Sequence, residues 1–368
     1  SRLGLVVLPG LLAGAGVIAA GWRLLPEEHR DALVATALAA APGGDRPLSE
    51  PQLVEAMRWV LTLVDDTALG AVGVPPPLVA ALGETGLGLS GVSGAATAVL
   101  GLATLAGVRG TAPVRVEPVL TDLRRSGGAT ADGAPAGTAI VAPGSVAERV
   151  HRIPDSSAPV RVERYEGPDG AHFEVYIAGT DSTAVLGGAQ PWDMASNVAL
   201  VADQDASSLQ AVRSALATAG ATGDSSVVFT GYSQGGAIAT RLAESGEWAT
   251  AGLVTVGSPS GDLPVLGDYP AIVIEHREDL VPGLSGVRHE TEALVVQSEA
   301  LRAGTASAAG ATGALAAHDL DRYRATAERV DASTIDELRT RVDALPGSGG
   351  GGAEGTVLRF TATRIPPS

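Results

Sequence analysis

One serine of this chain lies in a context that could make its hydroxyl a nucleophile. Ser233 stands in Gly231-Tyr232-Ser233-Gln234-Gly235, after an apolar, β-branched run and before a run of small residues with a helical pattern. This is the pattern of a nucleophile elbow, a tight strand-to-helix turn that exposes the serine hydroxyl. Glycines flank the serine because side chains there would collide with the neighbouring strand and helix. Gly-x-Ser-x-Gly occurs once in the chain, so Ser233 is the candidate nucleophile.

The base that would activate this serine is expected to be a histidine. A serine hydroxyl needs a base to accept its proton and a carboxylate to orient that base, and both follow the serine in chains with this elbow. Three histidines follow Ser233: His276, His289 and His318. His276 lies only two residues before Glu278 and three before Asp279, so it could orient the acid but competes poorly as the base. His318 begins a helical pattern, where a loop histidine can be aimed, whereas His289 opens a strand-like run and is the rival base.

Candidate acids lie together where a strand-like run passes into a loop. Glu275, Glu278 and Asp279 all fall within eight residues that end in Leu-Val-Pro. Functional groups of open parallel sheets are usually found at such strand ends. Asp279 is favoured because its short carboxylate lies on the loop itself, and Glu275 and Glu278 are the alternatives. Alternatively, this acidic segment is a solvent-exposed turn with no role in catalysis, since runs of charged residues are usually solvated.

Several motifs between about residues 172 and 325 resemble those of class 3 lipases, which are α/β-hydrolases with a Ser-Asp-His triad. Ile177 to Ser182 resembles that family's oxyanion loop, and Trp192-Asp193 with Asn197 resembles its Trp/Asp turn before a helix. Thr255 to Pro259 resembles its Gly-Ser-Pro strand end, and Asp279 to Pro282 resembles its acid motif. Arg288-His289-Glu290 resembles a structural His/Glu element, and Ala317 to Leu320 with Tyr323 resembles the element that carries the base. The elbow itself is more similar to that of cutinases.

This resemblance implies a function and a set of site residues. The triad would be Ser233, Asp279 and His318, and the oxyanion hole would be formed by Thr180 and the backbone N–H of Gln234. The implied activity is that of a serine esterase or lipase, which hydrolyses carboxylic esters of lipid-like substrates through an acyl-enzyme without a metal or organic cofactor. The alternatives are an acyltransferase on the same site, a secreted phospholipase-type effector or toxin, and a binding module with a decayed site.

The overall composition excludes other classes of function. The net charge of −16 argues against a nucleic-acid surface, which needs clustered positive charge. The chain has no cysteine, which excludes disulfides, thiolate zinc sites and cysteine nucleophiles. All 25 basic residues are arginine, which excludes Schiff-base and P-loop lysine chemistry. With 45% hydrophobic and 18% charged residues, the composition is that of a globular protein.

The second half of the chain alternates strand-like and helical patterns, which is typical of a mostly parallel sheet with helices on both faces. We therefore expect an α/β-hydrolase catalytic domain over residues 145–368. The predicted segments are a hairpin at 160–165 and 172–177, strands at 226–230, 253–256 and 271–275, and helices at 207–219, 235–245 and 333–344. A last strand at 357–365 is predicted to lie at the edge of the sheet.

The first part of the chain has a different composition and a different predicted structure. Residues 1–125 are predicted to be a helical, Ala/Gly-rich region and residues 126–144 a linker. Apolar runs at about 1–22 and 86–108 are dominated by Ala and Gly, which contribute little transfer free energy, so helix packing is favoured over membrane insertion. As a lid or a membrane-associating surface, these helices would contact a lipid substrate or membrane. These apolar runs are consistent with a secreted or membrane-associated protein, and the sequence does not determine the cellular compartment.

Overall fold

The structure, a computed structural model, describes residues 51, 109–119, 138–167, 170–182, 187–285, 288, 291–300, 316–347 and 353–366. Within these residues the strands are β1 (Val114–Pro118), β2 (Thr138–Val141), β3 (Val160–Gly167), β4 (Gly170–Ile177), β5 (Ser226–Tyr232), β6 (Ala249–Val256), β7 (Ala271–His276), β8 (Leu294–Ser298) and β9 (Glu354–Arg364). The predicted hairpin is β3 and β4, which pair in antiparallel register.

Helices are interspersed with the strands along the described chain. They are α1 (Val146–His151), α2 (Met194–Val201), α3 (Ser207–Thr218), α4 (Gln234–Glu244), α5 (Leu280–Gly283), α6 (Leu320–Asp331) and α7 (Asp336–Asp343), and a short 3-10 helix (Ala316–His318) directly precedes α6. The helices predicted at 207–219, 235–245 and 333–344 correspond to α3, α4 and α7, with ends that differ by at most three residues.

All described strands belong to one mixed sheet. Its order is β1-β9-β3-β4-β5-β6-β7-β8, and β2 also pairs with β9. The five neighbours from β4 to β8 run parallel, whereas β1, β2 and β3 pair in antiparallel fashion with β9, and β3 with β4. The prediction of a mostly parallel sheet flanked by helices is therefore confirmed at the level of the α/β class.

Two apolar layers cover the two faces of the sheet. Successive residues of a strand point to opposite faces. Accordingly Leu253 packs with α2, α3 and α4 on one face, while Val254 packs with α1, α6 and α7 on the other. Strands β5, β6 and β7 are buried on both faces, which explains why their sequences are nearly continuous apolar runs rather than alternating ones.

The position of β9 corrects one prediction. The segment at 357–365 was expected at an edge, but β9 lies inside the sheet, between β3 on one side and β1 and β2 on the other. Its 11 residues are long enough to pair with β2 through its first half and with β1 through its second. Phe360, opposite Val160 of β3 and Pro118 of β1, is fully buried.

Strands β1 and β2 fall in segments that were expected to be helical and linker, respectively. For these residues the local structure is strand. The signal for β1 was present, because Val114-Arg115-Val116-Glu117 alternates apolar and charged residues, and exposure alternates with it. The division into residues 1–125, 126–144 and 145–368 itself stays a prediction.

A buried ion pair attaches α1 to the hairpin. The Arg149 guanidinium of α1 lies 2.7 Å from the Glu174 carboxylate of β4, and both side chains are almost fully buried. The neighbouring Glu163 of β3 accepts hydrogen bonds from Arg152, at 2.7 Å, and from the Tyr165 hydroxyl, at 2.6 Å. Charged groups are thus buried in this layer, but they are paired, which is the condition for burying them.

We expect Arg149→Ala to lower the free energy of unfolding by about 3–5 kcal/mol, because the Glu174 carboxylate then loses its buried partner. Urea denaturation measures this difference. The control is Asp343→Ala, which breaks an exposed pair with Arg339 at 2.9 Å and should cost no more than about 1 kcal/mol. Equal losses in the two variants would contradict a stabilising role for the buried pair.

Candidate active site

The predicted elbow is present between β5 and α4. Ser233 has a φ of +54° and a ψ of −123°, which is a strained backbone conformation for a residue with a side chain. The flanking glycines are required by close approach of the backbone. A Cβ on Gly231 would lie 2.1 Å from the Gly235 carbonyl oxygen, and a Cβ on Gly235 would lie 2.3 Å from the carbonyl oxygen of Ile177. Only glycine therefore fits at either position.

Three predicted site residues form a continuous hydrogen-bonded chain. The Ser233 Oγ lies 2.9 Å from His318 Nε2, and His318 Nδ1 lies 2.7 Å from Asp279 Oδ2. An ionised carboxylate oxygen can only accept, so Nδ1 carries a proton and Nε2 is left to accept the serine proton. The Asp279 side chain is fully buried, and that of His318 is 11% exposed. This is the arrangement of a nucleophile, a base and an orienting acid.

The buried Asp279 carboxylate has two further hydrogen-bond donors. The Tyr323 hydroxyl donates to Oδ2 at 2.6 Å, and the backbone N–H of Val281 donates to Oδ1 at 2.9 Å. Burial raises the pKa of Tyr323 well above its usual value, so the phenol keeps its proton and remains a donor. Gly257, with a φ of +58°, leaves the space that this ring occupies, since a Cβ there would lie 2.8 Å from it.

Strand ends and helix starts position Asp279 and His318. Asp279 is the N-cap of α5, three residues after the end of β7. His318 ends the 3-10 helix, and Asp319 then caps α6 by accepting from the N–H of Arg322 at 3.2 Å. The Tyr232 hydroxyl donates to the His318 carbonyl oxygen, and the Tyr232 ring stacks on the imidazole at 4.9 Å between ring centroids. His318 is therefore held by its backbone as well as by its ring.

The two predicted oxyanion-hole residues lie next to the serine. Thr180 follows β4, and Gly179 brings this segment so close that a Cβ there would lie 3.1 Å from the Ser233 Cβ. The Asn197 amide donates to Thr180 Oγ1 at 3.0 Å, so the Thr180 hydroxyl accepts from Asn197 and has its own proton left to donate. The N–H of Gln234 belongs to the first turn of α4, where backbone donors lack intrahelical partners.

A buried arginine that the sequence analysis missed supports the segment next to Thr180. Arg364 of β9 forms a two-point ion pair with Asp193, with distances of 2.5 and 2.8 Å, and donates to the carbonyl oxygens of Gly188 and Gln190. Asp193 is the N-cap of α2, and the adjacent Trp192 donates its ring N–H to the Ala178 carbonyl at 3.0 Å. The sequence did contain a signal for this role. Arg364 follows Phe360 and Ala362 at steps of two residues, so it lies on the same inward-facing side of the strand.

The other predicted acids are bonded to groups other than His318. Glu275 is paired with Arg288, and Glu278 accepts from the N–H of Ala300 at 3.1 Å. His318 is bonded to Asp279 instead. The rival base His289 lies outside the described residues.

The sequence left open that His276 could orient the acid directly, but both of its ring nitrogens are bonded to other groups. Its Nδ1 lies 2.7 Å from the Ala317 carbonyl oxygen and its Nε2 lies 2.8 Å from Thr326 Oγ1. The ring stacks on Tyr323 with 3.8 Å between centroids. Burial lowers the pKa of His276, so the imidazole is neutral at neutral pH. Nearness in sequence to Asp279 did not show that the ring points toward the 3-10 helix that ends at His318.

No known family model, curated protein or solved structure matches this chain. The resemblance to class 3 lipases and cutinases therefore rests on motifs and stays a prediction. Within the described part of the chain, no three His, Asp or Glu side chains are grouped so that they could hold a metal ion. Nor is any helix of that part long and apolar enough to cross a membrane. The apolar runs at 1–22 and 86–108 lie outside it.

His276 should make stability depend on pH. Its pKa is lowered by folding, so below about pH 6.5 the unfolded chain binds a proton that the folded chain does not, and unfolding becomes easier. His276→Asn cannot take up this proton. We expect the stability advantage of wild type over His276→Asn to shrink as the pH falls from about 7.5 to about 5.5. Urea denaturation across that range tests this, and a constant difference would contradict it.

Proposed function

We propose that this protein is a serine carboxylic-ester hydrolase of the α/β-hydrolase type, which acts on lipid-like esters through an acyl-enzyme. The observation that carries the proposal is the hydrogen-bonded chain from Ser233 through His318 to Asp279, with distances of 2.9 and 2.7 Å. The three residues come from separate parts of the sequence and meet where β5 and β7 end. Such a chain activates a serine hydroxyl.

The first step is attack on the ester carbonyl. The Ser233 Oγ forms a bond to the carbonyl carbon while its proton passes to His318 Nε2. The resulting imidazolium is stabilised by the Asp279 carboxylate on its other nitrogen. Tyr323 and the Val281 N–H also donate to this carboxylate, so it is held in position by donors on both of its oxygens.

The negative charge that develops on the carbonyl oxygen needs donors. The N–H of Gln234 at the start of α4 and the hydroxyl of Thr180 are the two groups proposed for this role. A donor of this kind contributes about 3–4 kcal/mol to transition-state stabilisation. Asn197 donates to Thr180 Oγ1 and so restricts the rotation of that hydroxyl before substrate arrives. Restricting the donor in advance avoids reorganisation during the reaction.

The intermediate then collapses. His318 gives its proton to the alcohol oxygen, the carbon–oxygen bond to that alcohol breaks, and the acyl group remains on Ser233 Oγ. A water molecule next attacks the acyl carbon while His318 accepts its proton, and the carboxylic acid leaves as the proton returns to Ser233. These steps use only side chains, backbone N–H groups and water.

We expect Ser233→Ala to lower the turnover of p-nitrophenyl butyrate and palmitate by at least about 10³-fold, because the acyl-enzyme cannot form. His318→Ala should lose about as much, since triad residues act as a unit. Ser157→Ala, at an exposed turn, is the control and should match wild type.

Full activity in Ser233→Ala would contradict the proposal. If His289→Ala is inactive and His318→Ala is active, the base is misassigned. Products formed with an added alcohol distinguish hydrolysis from acyl transfer.

We expect Thr180→Val to lower kcat by about 100-fold with little change in KM, because the hydroxyl is needed only when charge develops on the carbonyl oxygen. Valine is close to threonine in shape, so the effect reports the missing hydroxyl. Thr180→Ser keeps the hydroxyl and should retain most of the activity. Initial rates over a range of ester concentrations separate kcat from KM. Wild-type kcat in Thr180→Val would remove Thr180 from the oxyanion hole.

A further inference from the structure

A buried histidine behind the site contacts the segment that carries the base. His276 is the last residue of β7 and is almost fully buried. Its Nδ1 lies 2.7 Å from the carbonyl oxygen of Ala317, the residue before His318. A carbonyl oxygen only accepts hydrogen bonds, so the Nδ1 carries a proton and donates it.

The next carbonyl along the chain is held as well. The carbonyl of His318 accepts from the hydroxyl of Tyr232, at the end of β5. The two peptide groups on either side of the His318 Cα are therefore both bound by side chains of the sheet. Each peptide group is planar, so fixing both planes leaves the backbone of His318 little freedom to turn. The direction in which the imidazole leaves the backbone is then fixed before substrate binds.

The other contacts of His276 reach the support of the acid. Its ring stacks on Tyr323 with 3.8 Å between centroids and 12° between planes. Its backbone N–H donates to the Tyr323 hydroxyl at 3.2 Å, and that hydroxyl donates to Asp279. The Nε2 of His276 is paired with Thr326 of α6, the helix that follows His318. One imidazole thus connects the residues that hold the acid with the segment that holds the base.

We infer that His276 is a positioning residue, whose Nδ1–H acts through the Ala317 carbonyl to aim the His318 imidazole at Ser233 and Asp279. This inference rests on the proposed function for its kinetic consequence. Misplacing a catalytic group by about 1 Å costs on the order of 100-fold in rate. A histidine that only fills the core would change stability without moving the imidazole of His318.

Three substitutions separate the two nitrogens of the ring. In His276→Asn the amide nitrogen can take the place of Nδ1 and donate to Ala317. In His276→Gln the amide reaches the position of Nε2 instead, and His276→Leu removes both polar atoms. The matched control is His172→Leu, which removes a half-buried histidine of β4 whose Nδ1 lies 3.0 Å from Ser226 Oγ.

We expect His276→Leu and His276→Gln to lower kcat for p-nitrophenyl butyrate by about 10- to 100-fold at unchanged KM, per folded molecule. His276→Asn should recover most of kcat, and His172→Leu should keep the wild-type value. A second readout does not depend on turnover. The His318 Nδ1 proton, bonded to Asp279, gives a low-field proton NMR signal, which should shift or broaden in the Leu and Gln variants and return in Asn.

The outcomes are distinct. If the variants lose activity only in proportion to the unfolded fraction, and the His318 signal of the folded protein is unchanged, His276 is a core residue and the inference is overturned. The same holds if His276→Asn is as impaired as His276→Leu in both readouts. If wild type hydrolyses no ester, the proposed function fails, and the NMR signal alone then decides whether His276 positions His318.

Discussion

The site depends on one buried negative charge, the carboxylate of Asp279. A carboxylate removed from water is costly unless its oxygens are bonded to donors. Here His318 and Tyr323 donate to Oδ2, and the Val281 N–H donates to Oδ1. The need to satisfy this charge holds the imidazole in one orientation and one tautomer, with Nε2 toward Ser233. The orientation of the His318 ring is therefore a consequence of compensating a buried carboxylate.

The sheet brings the other groups to the same edge. Strands β4 and β5 are parallel neighbours in which Ile177 lies opposite Gly231. Thr180 and Ser233 therefore follow directly beyond the same edge, on adjacent strands. Asp279 follows β7 at that edge as well, since β5, β6 and β7 are parallel. The carboxyl ends of parallel strands are where open α/β sheets place their functional groups, and the buried Arg364–Asp193 pair supports the segment that carries Thr180.

Local patterns predicted much of this fold, and the failures have a common physical cause. Helices α3 and α4 and the hairpin β3–β4 were found because hydrophobic periodicity and turn residues act over a few neighbouring residues. The interior position of β9 and its pairing with β1 and β2 depend on partners far away in the sequence. The role of Arg364 depends on that pairing too, because its inward position brings it to Asp193 only once β9 lies inside the sheet.

The sequence by itself determined the candidate nucleophile and its strained turn, since side-chain chemistry and the need for glycine beside Ser233 are properties of a few adjacent residues. It also narrowed the acid and the base to short sets of candidates. Only the tertiary structure decided that Asp279, rather than Glu275 or Glu278, meets His318, and that His276 faces the Ala317 carbonyl. Ser233 and His318 are 85 residues apart in the chain, and a contact between them follows from the packing of the sheet and α6, which local patterns do not contain.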